Sequence, residues 1–248
     1  MKIVSLVPSQ TELIHDLGLN KELVGVTKFC LHPSHLSKQK TIVGGTKNVD
    51  VKKVEALNPS IICANKEENT KACIEELNQK HQVHLADFND IEGALELILS
   101  YGDLFNKKSK AQELYEEIHQ LIAQVQKKLF ELPRLKVSYL IWKDPLMVAA
   151  SNTFIDSMLQ LFKLENVFSE LKRYPVIESN ELTKSDIVLF SSEPFPFTEK
   201  HINSIQLNNT PYEIVNGEYF SWYGSRMKKA IPALLEWRLK LHHQLKNL

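Results

Sequence analysis

Cys30-Leu-His32-Pro-Ser-His35 places a thiol and two imidazoles within six residues. All three are ligand types for zinc or another borderline metal. The same spacing also fits a loop in which Cys30 packs inward and one histidine meets a ligand or solvent, and no second cluster matches it. Gly44-Gly45-Thr46-Lys47-Asn48 can cradle an anion with backbone N–H groups, Lys47 reaching a carboxylate or phosphate, or can serve as a tight turn before a helix capped by Asp50. It lacks both nucleotide-loop glycine spacings, so a nucleotide is not expected.

Two further stretches carry chemistry. Ala64-Asn65-Lys66-Glu67-Glu68-Asn69 offers adjacent carboxylates, which cannot form the opposed acid and base pair of a hydrolase without a third facing them. They read as an exposed helix N-terminus favoured by the macrodipole, or as a docking patch for a basic partner. "YFSWYGSR" sets Tyr219, Phe220, Trp222 and Tyr223 close to Arg226 in an expected loop. Aromatic faces grip flat or conjugated ligands, and arginine answers carboxylate or phosphate. Trp142, Phe195 and Phe197 stand in other loops of the same half, although core packing competes for each singly. No nucleophile elbow, zinc-protease pair or redox dithiol occurs, so nothing in the chain requires an enzyme.

These residues need a frame. Ile3 to Val7 is a short apolar run ended by Pro8, the pattern of a fully buried parallel strand, and Ser9-Gln10-Thr11-Glu12 then fits a capping box. The unit recurs with "ELVGVT", "SIICA" and "VHLADF" as strands between helical stretches, which predicts a parallel α/β sheet. From Lys108 to Glu131, Ala111, Leu114, Ile118, Leu121, Val125 and Leu129 recur at helical spacing until Pro133. Such a helix is about 36 Å long, the span of a small domain. It reads as a backbone between lobes, giving an N-terminal α/β lobe over 1–107, a linking helix over 108–132 and a C-terminal α/β lobe over 133–248. "KVSYLIW", "PLMVAA", "DIVLFS" and "YEIVNG" supply later strands, "TFIDSMLQLF" a helix, and a last helix from Ser225 carries Pro232 near its first turns. A weak echo between the halves suggests duplication. In open parallel sheets ligands bind beyond the carboxyl ends of the strands, where all the loops above fall.

Composition narrows the partners. The 248 residues carry 30 basic and 30 acidic side chains, a formal charge of zero, which favours neither nucleic acid nor an anionic membrane surface. No apolar stretch approaches the roughly 20 residues of a membrane span. Three cysteines without a CxxC pair suggest free thiols in a reducing compartment. "MKIVSLVPSQTE" breaks its apolar run at Pro8 and Ser9, so the opening does not fit a secretory leader and implies a cytoplasmic address.

With "IVSLVPSQTELIHDLG", "ELVGVTKFC", "VGGTKN", "VEALNPSIICAN" and the terminal "WYGSR", the chain resembles the vitamin B12 and ferric-siderophore binding proteins of ABC importers over nearly its whole length. The resemblance implies two Rossmann-like α/β lobes with parallel sheets joined by one long helix, moving little, with a corrinoid, haem or iron chelate between them. It implies that Pro8, Ser9, Phe29, His32, Gly45 and Asn65 line one side of the ligand, and Trp142, Phe195, Trp222, Tyr223 and Arg226 the other. It also implies permease-docking glutamates, nearest at Glu67 or Glu68 and at Glu193 or Glu218. A cobalamin-like ligand is favoured over a siderophore because aromatic surfaces outnumber cationic groups. The expected protein is a monomer with no catalytic residue, no protein-held metal and no covalent cofactor, periplasmic or at the cell surface by resemblance. Two other readings stand beside it: a cytosolic enzyme or chaperone of metal-cofactor metabolism using the Cys30, His32 and His35 loop, and an interaction module without a small ligand.

Overall fold

A computed structural model of the protein describes residues 1–245. Contacts divide the chain into two compact units. The first is Met1–Phe88, Glu92–Glu116 and Trp222–Arg226, and the second is Asn89–Ile91, Glu117–Ser221 and the chain from Met227 on.

In the first unit β1 (Ile3–Ser5) leads into α1 (Pro8–Asp16), β2 (Leu23–Val26), α2 (Leu36–Gln39), β3 (Thr41–Ile42), α3 (Val51–Leu57), β4 (Ile61–Asn65), α4 (Lys71–Asn78) and β5 (Val83–Ala86). The sheet order is β3-β2-β1-β4-β5, with every pairing parallel. β1 and β4 are buried along their whole lengths, as strands covered on both faces must be, which explains their unbroken apolar runs. Val4, Leu6, Val43, Val54, Ile62, Ala64, Ile74 and Leu77 form one core beneath α3 and α4. The helix α5 (Ile91–Leu104) follows, and α6 (Lys108–Lys128) carries the chain from the first unit into the second. It ends at Lys128, one turn short of the expected 131.

The second unit contains β6 (Leu135–Trp142), β7 (Met147–Val148), α7 (Phe154–Leu161), β8 (Leu164–Asn166), β9 (Ile187–Ser191), α8 (Glu199–Ile202), β10 (Tyr212–Val215), α9 (Gly217–Ser221) and α10 (Met227–Leu245). Its sheet runs β10-β9-β6-β7, with β8 also on β6. The ladders are parallel except β6 with β7, which is antiparallel because only four residues separate them. Leu140, Val148, Phe168, Leu182, Val188, Phe190 and Phe197 centre its core.

The cap expected at Asp50 forms. Asp50 accepts from Lys53 N at 3.1 Å and caps α3, and Thr153 accepts from Asp156 N at 3.1 Å and caps α7. The capping box at Ser9 and Glu12 does not form. Pro8 occupies the first helical turn, where its fixed φ and missing N–H fit, so Val7 is the N-cap and Ser9 lies inside the helix. Glu67 and Glu68 are not in the first turn of a helix either, since α4 starts at Lys71 and the two lie in the turn before it. Tyr219 and Phe220, expected in a loop, belong to α9, and Phe220 is fully buried.

Candidate functional site

The first sheet changes direction between β1 and β4: from β1 the chain proceeds outward to β2 and β3, then returns to build β4 and β5 on the other side. Beyond the carboxyl ends of two such neighbours lies the crevice that α/β sheets use for ligands. Pro8 and Ser9 follow β1, and Asn65 ends β4. All three are buried.

Gln10, one residue into this crevice, is fully buried. Its Nε2 donates to the Ala64 carbonyl and to the Tyr223 hydroxyl, each at 3.1 Å, and its Oε1 accepts from the Tyr101 hydroxyl at 2.9 Å. Asn65 also hydrogen-bonds Tyr223, while Phe88 meets the Tyr223 ring edge-on at 4.8 Å. Burial drives the Tyr101 and Tyr223 hydroxyls well above the ordinary phenol range, so both stay protonated. Burial likewise pushes the Cys63 thiol up to about 12.

Two positions on, Glu12 accepts from Arg226 Nε at 2.8 Å, with the two side chains 7% and 6% exposed. Burial raises the Glu12 carboxyl above its usual range, and the charge and hydrogen bond of Arg226 offset part of that rise. The Arg226 guanidinium also lies over the Trp222 ring at 5.2 Å, and His32 meets Trp222 edge-on at 5.4 Å. Trp222, Tyr223 and Arg226, expected on the second lobe's side, therefore pack in the first unit. Gln10 and Glu12 hold them there: a buried carboxylate and a buried amide each require a polar partner. Neither residue was a candidate site residue in the sequence, where Glu12 stood only as the acid of a capping box. The available signal was a run of Gln, Thr and Glu in a helix that directly follows a fully buried strand.

The loop after β2 separates its three candidate ligands. Cys30 is fully buried, its sulfur 3.0 Å from Thr11 Oγ1 and 3.2 Å from Thr27 Oγ1, and burial raises its thiol. Metals take the thiolate, which this setting disfavours. His35 is exposed and turns its ring to His15 at 5.6 Å, leaving His32 as the histidine at Trp222. Among the described residues no three histidine, cysteine or acidic side chains are grouped to hold a metal. Phe29 is 47% exposed, and Leu31 two residues on is exposed as well. Gly45 lies against Phe29: a Cβ there would stand 3.2 Å from Phe29 Cε2. Gly44 has φ of +105°, and a Cβ there would be 2.4 Å from the Asn48 carbonyl, which supports the tight-turn reading of this pair.

Asn69, also missed, ties these loops together. It accepts from Asn65 N at 2.9 Å and donates to the carbonyls of Leu6 at 3.3 Å and Thr46 at 3.0 Å. Nearby, Glu67 N donates to Asn65 Oδ1 at 2.7 Å, and Lys47 Nζ donates to the Glu67 carbonyl at 2.6 Å. Glu67 and Glu68 are half-buried, and the charge of Glu68 reaches both Tyr223 and Cys30, helping to keep them protonated.

In the second unit Trp142 ends β6, 40% exposed, with its Nε1 donating to the Asp144 carbonyl at 3.2 Å. Its ring meets Phe195 at 5.6 Å, and Phe195 in turn meets Phe197 at 4.8 Å. Phe197 belongs to the core, Phe195 to the half-buried fringe. Glu193 accepts from Ser221 Oγ at 2.7 Å, and Glu218 lies in the first turn of α9 with its N–H donating to Asn216 Oδ1 at 3.0 Å.

Each unit is thus an α/β layer on a mainly parallel sheet, with a large aromatic side chain exposed in the loop after β2 in the first and at the end of β6 in the second. Residues 3–193 match the family described as periplasmic binding protein, and the chain belongs to that family. One curated relative is an ABC transporter substrate-binding lipoprotein of Bacillus subtilis, 26% identical over 181 residues that cover 68% of this chain and 56% of the relative. Another is a vitamin B12-binding protein of Vibrio parahaemolyticus, 21% identical, covering 77% of this chain and 70% of the relative. The chain thus spans little more than half the length of the Bacillus protein. Among solved structures, a periplasmic haem-binding protein of Roseiflexus superposes with TM-score 0.85 at 17% identity, covering 97% of this chain and 98% of its own. The periplasmic vitamin B12-binding protein of Vibrio cholerae does so with TM-score 0.82 at 16% identity, covering 98% and 97%. At these identities the likeness is one of fold.

Proposed function

We propose that this protein binds a metal chelate, a corrinoid, haem or ferric siderophore, and delivers it to an ABC importer outside the cytoplasmic membrane. The observation that carries this reading is the exposure of Phe29, in the loop after β2, and of Trp142, at the end of β6, in a chain belonging to the periplasmic binding protein family. Large aromatic faces in those positions offer stacking area to a conjugated ring system. Relatives named for vitamin B12 and fold neighbours named for haem support the ligand class. Phe29, His32, Trp142 and Phe195 are the ligand contacts in this reading, with Pro8, Ser9, Gly45, Asn65, Trp222, Tyr223 and Arg226 as walls and supports. Glu67, Glu68, Glu193 and Glu218 are its permease contacts, the protein acts as a monomer, and no covalent step is assigned. Among the described residues no helix is long and apolar enough to cross a membrane. The enclosed, protonated Cys30 weighs against an enzyme built on its loop.

Titration of the purified protein with cobalamin, haem and ferric chelates, followed by absorbance and tryptophan fluorescence, tests the reading. Saturable binding of one of them is expected, and no saturable change with any refutes it. Fractionation of cells with sequencing of the native N-terminus tests the address.

A further inference from the structure

A ligand of this class often carries an acid group on its rim, and Arg226 is the cation that its sequence setting offers for it. The geometry points elsewhere. Arg226 Nε donates to Glu12 at 2.8 Å inside the first unit, and both side chains are almost fully buried. Lys47, the cation of the glycine turn, donates to the Glu67 carbonyl at 2.6 Å. Lys28 is different: it is exposed, and its ammonium stands 5.0 Å over the centre of the exposed Phe29 ring. Its backbone is fixed by Lys28 N donating to the Gly44 carbonyl at 2.8 Å, and its Cε would lie 3.5 Å from a Cβ at Gly45. An exposed aromatic ring with an ammonium over one face, beside a glycine that leaves both side chains room, pairs an apolar surface with a cation and so matches a conjugated plate with an anionic edge.

We infer that Lys28, not Arg226, answers an acid group on the rim of the ligand, carboxylate or phosphate, while Phe29 takes its flat face. This rests on the proposed chelate-binding function and names a specificity determinant within it.

Two ligand pairs test it on the full chain: haem against its dimethyl ester, which lacks the free carboxylates, and cobalamin against cobinamide, which lacks the nucleotide and its phosphate. The unmodified protein is expected to prefer the acid-bearing member of whichever pair it binds. Lys28→Met should weaken that member about three- to tenfold, the range for a partly exposed charge-assisted contact, and leave the neutral member unchanged. The pair that responds distinguishes a carboxylate from a phosphate. Lys28 is a surface residue, so circular dichroism of the variant should match the parent. Equal loss on both members of a pair, no loss, or no preference in the unmodified protein overturns the inference while leaving chelate binding intact. Failure of every ligand to bind overturns the functional reading and this inference with it.

Discussion

Arg226→Met removes the cation from a buried pair and leaves Glu12 facing a hydrocarbon chain. At a charge separation of about 4 Å and an effective dielectric near 20, the lost attraction is about 4 kcal/mol. Breaking a buried pair from one side is expected to cost ~3–5 kcal/mol for the same reason, because the remaining charge keeps its desolvation penalty. Both side chains are under a tenth exposed, so water offers little relief. Glu12→Gln should cost less, since an amide oxygen still accepts from Arg226 Nε. Combining the two removes both charges and should recover about 2 kcal/mol of the summed losses. Chemical denaturation followed by far-ultraviolet circular dichroism measures all four proteins. The pH dependence has a definite sign. Burial already lifts Glu12 above 4.5, so the folded protein holds that proton more readily than the unfolded chain. The contribution of Glu12 is therefore present at acid pH and lost as pH rises through its lifted value, so stability relative to Glu12→Gln should fall across that window. The cost of Arg226→Met should shrink as pH falls and Glu12 takes up a proton. Strictly additive losses, or a cost of Arg226→Met that is flat with pH, would refute the reasoning.

Gly217→Ala places a Cβ 2.3 Å from Ser191 Oγ and 2.6 Å from Glu193 Cγ, and should lower stability by ~1–3 kcal/mol in the same denaturation assay. In the native protein a thiol-reactive chromophore should modify the half-exposed Cys73 first, with Cys30 and Cys63 reacting only on unfolding, because both are enclosed and Cys63 holds its proton up to about 12. Mass spectrometry of partially labelled protein identifies the order. Phe29→Ala, at an exposed ring, should change the denaturation midpoint little yet weaken chelate binding by about tenfold in the fluorescence titration.

The elements of this fold were legible where a single local rule governed them. The all-buried β1 and β4 announced themselves as apolar runs, and Asp50 announced the helix it caps. At Ser9 and Glu12 two local rules competed, and the rigid ring of Pro8 decided the helix start one residue before Ser9. Of the candidate site, residue type and loop position singled out His32 and Trp222, whose rings the fold brings together at 5.4 Å, while Phe29 came from the family resemblance alone. Gln10 and Glu12 have partners at Tyr223 and Arg226, more than two hundred residues away, and no spacing within α1 encodes that. Asn69 escaped for a related reason: its amide serves three separate loops, and each contact is with backbone, which leaves no mark on the partner residue types.

The five residues Trp222–Arg226 join the first unit, while the chain on either side of them belongs to the second. No single cleavage point therefore yields the first unit complete. A fragment ending at Lys128 would include every strand of the first sheet but neither the guanidinium for Glu12 nor the Tyr223 hydroxyl for Gln10, which would keep its Tyr101 and Ala64 partners. It would have to solvate a carboxylate that α1 otherwise buries. Autonomy of the first half could be restored by grafting: a short tail bearing Trp-Tyr-Gly-Ser-Arg supplied in trans as a peptide, or fused behind a flexible linker, carries the missing groups.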